Sequence, residues 1–84
     1  MSENQGDIVT LVQGIVLSLV DEPSQVEITS SETDDTLTIE IRVNEDDVGK
    51  VIGRQGRIIK AIRTLARAAS SYMGGARIEV EVVD

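Results

Sequence analysis

The stretch Val48-Gly49-Lys50-Val51-Ile52-Gly53-Arg54-Gln55-Gly56-Arg57-Ile58-Ile59-Lys60-Ala61-Ile62-Arg63 decides how the rest of this 84-residue chain is read. Val48, Val51 and Ile52 stand at i, i+3 and i+4, one turn of helix facing a core. Gly53 to Gly56 interrupt that turn, and an Ile-rich helix begins at Arg57. Two glycines let the chain turn sharply and leave no Cβ between the backbone and an approaching ligand. Amides in such a loop, and in the first turn of the helix after it, lack internal partners and suit a phosphate.

The following helix, from about Arg57 to Met73, has two faces when laid out at about 100° per residue. Ile58, Ile59, Ile62, Leu65, Ala66 and Ala69 share an arc expected to pack on a sheet, while Arg57, Lys60, Arg63 and Arg67 cluster opposite. Solvated helix faces usually mix signs through Glu-to-Lys pairs. This one holds no acid, and it starts with Arg57 at the end where the helix dipole favours an anion. An external anion would resolve that local conflict.

Charge is divided along the chain. The net charge is −7, against a generic nucleic-acid binder. Residues 1–47 hold twelve acids and one base, whereas residues 48–84 hold seven bases and three acids. No acid falls between Asp47 and Glu79, so the reading is an acidic body with one basic edge.

Outward from the motif, the period of the apolar residues changes. Ile8, Leu11, Val12, Ile15, Val16 and Leu19 predict a helix from about Asp7, a candidate cap, to Val20, with Pro23 beyond its end and residues 1–6 frayed. Val26 and Ile28 predict a short strand, Ser30 to Asp35 a loop, and Leu37, Ile39, Ile41 and Val43 a strong half-buried strand, the two strands forming a hairpin. Asn44 is placed to cap the next helix, and Glu45, Asp46 and Asp47 to complement its positive end. Gly74-Gly75 should end the long helix, and Ala76, Ile78, Val80 and Val82 predict a last strand. The expected architecture is a single α+β domain over residues 1–84, in the order α-β-β-α-α-β, with a three-stranded sheet packed on helices.

Composition removes several chemistries. There is no Cys and no His, hence no disulfide, no thiolate metal site and no imidazole base. Tyr72 is the only aromatic, so a platform that stacks bases on sheet aromatics is excluded. The apolar run Ile8 to Val20 is too short for a membrane span, and its acidic flank is wrong for a signal peptide. A cytoplasmic location with no membrane association is expected.

Val51-Ile52-Gly53-Arg54-Gln55-Gly56-Arg57, followed by Ile59-Lys60, resembles the signature of the KH domain, in which a Gly-x-x-Gly loop joins two helices. The element order resembles the type II, prokaryotic arrangement, and one such domain uses almost the whole chain. Asp47 to Arg57 looks most like the small stand-alone bacterial KH proteins of the KhpA type. The resemblance implies single-stranded RNA held in a groove, with the loop clamping about four nucleotides of backbone. By position, Gly53 and Gly56 would shape the clamp, and Arg54 and Gln55 would reach phosphates. Ile52 and Ile59 would line the groove, with Lys50, Arg57, Lys60 and Arg63 steering and holding the backbone. It further implies a homodimer, or a heterodimer with a larger RNA-binding protein of the Jag type, in an RNA chaperone or post-transcriptional regulator. No cofactor and no metal are implied.

Two other classes compete on the residues. An enzyme lacks support: the glycines do not fit the spacing of a nucleotide loop, no His activates Ser70 or Ser71, and no catalytic set is present. An interaction module is the stronger alternative. Ala61, Leu65, Ala68 and Tyr72 form a semi-apolar strip that either closes over the domain's own core or offers a dimer interface.

Overall fold

A computed structural model describes residues 2–72 and 75–83, with side chains from residue 6 onward. It contains α1 (Ser2–Leu19), β1 (Glu27–Thr33), β2 (Thr36–Arg42), α2 (Val48–Ile52), α3 (Arg57–Tyr72) and β3 (Arg77–Val82), the expected order. Short 3-10 turns at Pro23–Gln25, Glu45–Asp47 and Arg54–Gly56 occupy three of the joints.

The sheet order is β1-β2-β3. β1 and β2 form the antiparallel hairpin, with Thr33 opposite Thr36 across an Asp34-Asp35 turn. β3 lies parallel to β2 on the other side. A parallel neighbour cannot be reached by a tight turn and needs a crossover. Here α2, the glycine loop and α3 are that crossover, so the loop sits in the middle of the connection that completes the sheet.

Leu37, Ile39 and Ile41 of β2 and Ile78 and Val80 of β3 are buried on one face. Their alternating neighbours Thr36, Thr38, Glu40 and Arg42 fall on the other, as a period of two requires. The helices cover the apolar face: Ile8, Val12 and Val16 from α1, Val51 from α2, and Ile59, Ile62 and Ala66 from α3. The core is wholly aliphatic, each large side chain worth about 1.5–3 kcal/mol on burial.

Two boundaries differ from the sequence reading. α1 begins at Ser2, so residues 2–6 are helical rather than frayed and Asp7 lies inside the helix instead of capping it. Extending a helix costs far less than nucleating one, and no proline stands in the way. The supposed loop Ser30 to Asp35 is strand as far as Thr33. An edge strand needs only backbone partners, which β2 supplies, so polar side chains do not forbid it. At the far end of α3, Ser70 is buried and its hydroxyl donates to the Ala76 carbonyl at 2.5 Å, while Gly75 N–H donates to Ser70 O at 2.7 Å. That six-residue bond closes α3 as a Schellman turn does. Met73 and Gly74, also assigned to this helix end, lie outside the described residues.

Candidate nucleic-acid interface

α2 ends where Gly53 N–H donates to Gly49 O at 2.8 Å, and Gly56 N–H then donates to Gly53 O at 3.2 Å. Gly53 adopts φ 78°, ψ 172°, open essentially to glycine alone. A Cβ there would stand 2.8 Å from Ile58 N and 2.6 Å from Ile58 Cγ1. The loop therefore folds directly onto the start of α3. Gln55 takes the left-handed conformation at φ 56°, ψ 25°, uncommon for a side chain of its kind. Its Oε1 lies 3.5 Å from an Arg57 Nη, the outer limit of a hydrogen bond.

Arg54, Gln55, Arg57 and Lys60 are all exposed around this loop. Among the described residues none of these three cations has a carboxylate within ion-pair distance. The Lys60 stem passes beside Gly56, its Cε 3.8 Å from where a Cβ would sit. The result is a patch of unneutralised positive charge at the junction of α2 and α3.

Lys50 is differently placed. Its Nζ lies 3.3 Å from Asp21 and 3.3 Å from Asp47, so its charge is already matched. Asp47 is 1% exposed, and its Oδ2 accepts the N–H groups of Asp21 (3.2 Å) and Glu22 (3.0 Å). The acidic run before α2 does not cap that helix as expected: neither Asn44 nor Asp47 makes a side-chain capping bond. Asp47 instead ties the segment after α1 to the start of α2. Burial pushes its carboxyl up, but the two backbone donors and Lys50 together outweigh this and hold it below the usual range. The Asp21 and Asp47 carboxylates raise Lys50.

Arg63 and Arg67 reach sideways to β3. Arg63 Nε donates to Val80 O at 3.0 Å, and Arg67 Nε to Ile78 O at 3.4 Å. Arg77 N–H and Val83 N–H bond back to Asp35 O and Ile41 O beside β2. Alternate residues of β3 therefore direct their backbone groups inward, and Ile78 and Val80 direct theirs to the free edge. The two guanidinium groups cover that edge, which would otherwise be a template for strand pairing. Lys60, Arg63, Thr64 and Arg67 face Glu79, Val80 and Glu81 across an open cleft of about 500 Å³. Sequence reasoning placed Arg63 on the basic face without its backbone partner, which only the α3–β3 packing reveals.

The two isoleucines assigned to the groove separate. Ile52 is half-buried beside the loop. Ile59 is 4% exposed and belongs to the core, because it lies one turn before Ile62 on the face turned to the sheet. Ile58, half-buried against Gly53, stands next to the loop in its place. The strip along α3 is open: Ala61 and Ala68 are exposed, Leu65 is 51% exposed and Tyr72 92%. Leu65 thus leaves the core-facing arc predicted for it, as does Leu11 in α1. Among the described residues no group of acids could hold a metal ion, and no helix is long and apolar enough to cross a membrane.

The family model for the KH domain of KhpA/KhpB matches residues 9–82. The chain belongs to the KhpA/KhpB KH-domain family. It is 47% identical over 74 residues to the RNA-binding protein KhpA of Listeria monocytogenes, covering 88% of this chain and 96% of that protein. Identity to KhpA of Borreliella burgdorferi is 40% over 79 residues, 94% of this chain and 95% of the relative. The solved structure of Era with MgGDPNP and nucleotides 1506–1542 of 16S ribosomal RNA superposes with a TM-score of 0.61 at 25% identity. The match takes in 90% of this chain and 30% of the Era chain. These relatives carry the name of RNA-binding proteins rather than of enzymes, and the family's KH domain agrees with the three-helix, three-strand fold.

Proposed function

We propose that this chain binds single-stranded RNA across the Gly53–Gly56 loop and the cleft between α3 and β3, weakly and with broad sequence preference, as an RNA chaperone or post-transcriptional regulator working with a partner. The observation that carries this is the set of unpaired cations Arg54, Arg57 and Lys60 around a loop folded so that the backbone can be approached. The similarity to Era, whose solved complex contains ribosomal RNA, supports the same ligand class. Gly53 and Gly56 shape the clamp, and Arg54, Gln55, Arg57 and Lys60 meet the backbone. Ile52 supplies the apolar wall, Arg63 contributes from the edge of β3, and Lys50 acts by fixing α2. With three or four phosphates neutralised, log K falls with log salt at a slope of about −2 to −3. Fluorescence anisotropy of a labelled single-stranded RNA tests this: Arg54→Asp with Gln55→Asp abolishes salt-sensitive binding while the variant stays folded. Equal binding by the variant refutes the loop as the site.

The exposure of Ala61, Leu65, Ala68 and Tyr72 favours a second reading, in which α3 also mediates dimerisation, with another copy or with a larger RNA-binding protein. A dimer would present two weak sites together and raise avidity without new contacts. Leu65→Glu is expected to halve the particle mass in light scattering with no loss of helical circular dichroism. An unchanged mass removes this strip as the interface.

A further inference from the structure

The cleft beside Lys60 and Arg63 does not end at Arg67. A second open cleft of about 550 Å³ continues the same seam toward the end of α3, lined by Arg67, Ser71, Gly75, Ala76, Arg77, Ile78 and Glu79. Arg67 and Glu79 line both. The two adjoin where Arg67 leans across to Ile78 O. Ser71 stands fourteen residues beyond Arg57, about 21 Å along the helix at 1.5 Å per residue. The far cleft therefore lies well outside the reach of the glycine loop.

Its donors suit a phosphodiester. Arg67 keeps its terminal guanidinium nitrogens, since only Nε is committed to Ile78 O. The Ser71 side chain and Arg77 are exposed, and Ile78 belongs to the edge-facing set whose N–H points away from β2. The Ile78 carbonyl, the acceptor that would repel an anion there, is occupied by Arg67. Glu79 is the opposing charge, and it lines the far cleft together with the cations Arg67 and Arg77.

We infer that this far cleft is a second phosphate subsite that continues the RNA track past the loop, so that one domain engages a strand longer than four nucleotides. The inference rests on the RNA reading above, and the experiment separates the two. Anisotropy titrations with labelled mixed-sequence RNAs of four and eight nucleotides are run over a salt series. The proteins are the wild type, Arg77→Glu, Ser71→Glu and the Arg54→Asp, Gln55→Asp double variant. Extra registers alone favour the longer strand by up to about fivefold but leave the salt slope unchanged. A second subsite steepens that slope by about 0.7 for each added phosphate contact. The expected result is a steeper slope for eight nucleotides in the wild type. Arg77→Glu and Ser71→Glu lose this while four-nucleotide binding stays within about twofold, as for a contact outside the primary site. The double loop variant loses both lengths. Equal slopes for the two lengths, or a steeper slope that survives both far-cleft variants, overturn the subsite. Binding of eight nucleotides that withstands the loop variant but not the far-cleft variants overturns the loop reading alone.

Discussion

Replacing Gly53 by alanine isolates the feature on which the loop's shape depends. Its φ of 78° and ψ of 172° lie where side chains are essentially absent, at a cost of about 1–3 kcal/mol. The added Cβ would also stand 2.8 Å from the backbone nitrogen of Ile58 and 2.9 Å from its Cβ. Rotating the Ile58 side chain relieves neither, so the start of α3 must move, at about another 1–3 kcal/mol. Gly56→Ala is the matched control. Its φ is also positive, at 75°, but a Cβ meets nothing closer than 3.8 Å. The left-handed penalty of about 1–2 kcal/mol stands alone there, partly offset by about 0.4–1 kcal/mol from a less flexible unfolded chain. A domain of this size has roughly 4–13 kcal/mol in total. Urea unfolding with a slope near 1 kcal/mol/M should therefore lower the midpoint by about 2 M or more for Gly53→Ala and by about 1 M or less for Gly56→Ala. Equal shifts, or a larger one at Gly56, would refute the argument that Ile58 packing dictates the first glycine.

Two further expectations concern stability away from the loop. Gly14 sits mid-way along α1 with nothing within 4 Å of the position a Cβ would take, so Gly14→Ala should stabilise by about 0.8–1 kcal/mol and raise Tm by several degrees, read by calorimetry. Asp47 has its pKa held below 3.8 and Lys50 its pKa raised above 10.5. Stability from Asp47 is present above its unfolded pKa and lost as pH falls through the folded one. Stability from Lys50 is full below 10.5 and lost as pH rises through its higher folded value. The difference in unfolding free energy between wild type and Asp47→Asn should shrink toward both extremes; a difference constant from about pH 2 to pH 6 would show that the charge on Asp47 is immaterial.

The order of elements and most of the core were legible because apolar periodicity reports which face is buried, and in β2, α3 and β3 that signal is strong. Several of its misses share one cause. The length of β1, the roles of Asp47, Arg63 and Arg67, and the burial of Ser70 all rest on polar groups finding backbone partners outside their own element. No local pattern in Ser30–Thr33 or Asn44–Asp47 encodes those partners. The loop was readable because its constraint is local: two glycines, a positive φ and a basic following turn. Leu65 was ambiguous for a geometric reason, since it lies at the margin of the buried arc, where helix phase alone does not separate core from rim.

The parallel pairing of β2 with β3 has a consequence for how the α3–β3 cleft is kept. β3 forms one wall of the α3–β3 cleft, and it is held by a single neighbouring strand, by side chains from α3 and by the closure at Ser70. Edge strands of this kind detach in sub-global openings well short of complete unfolding. Detachment would free Arg63 and Arg67 from Val80 and Ile78 and dissolve the wall at the same moment. Opening of the sheet edge and loss of the cleft are thus one event, and hydrogen exchange at the inward-facing amides of β3 would measure the fraction of molecules in which the cleft is intact.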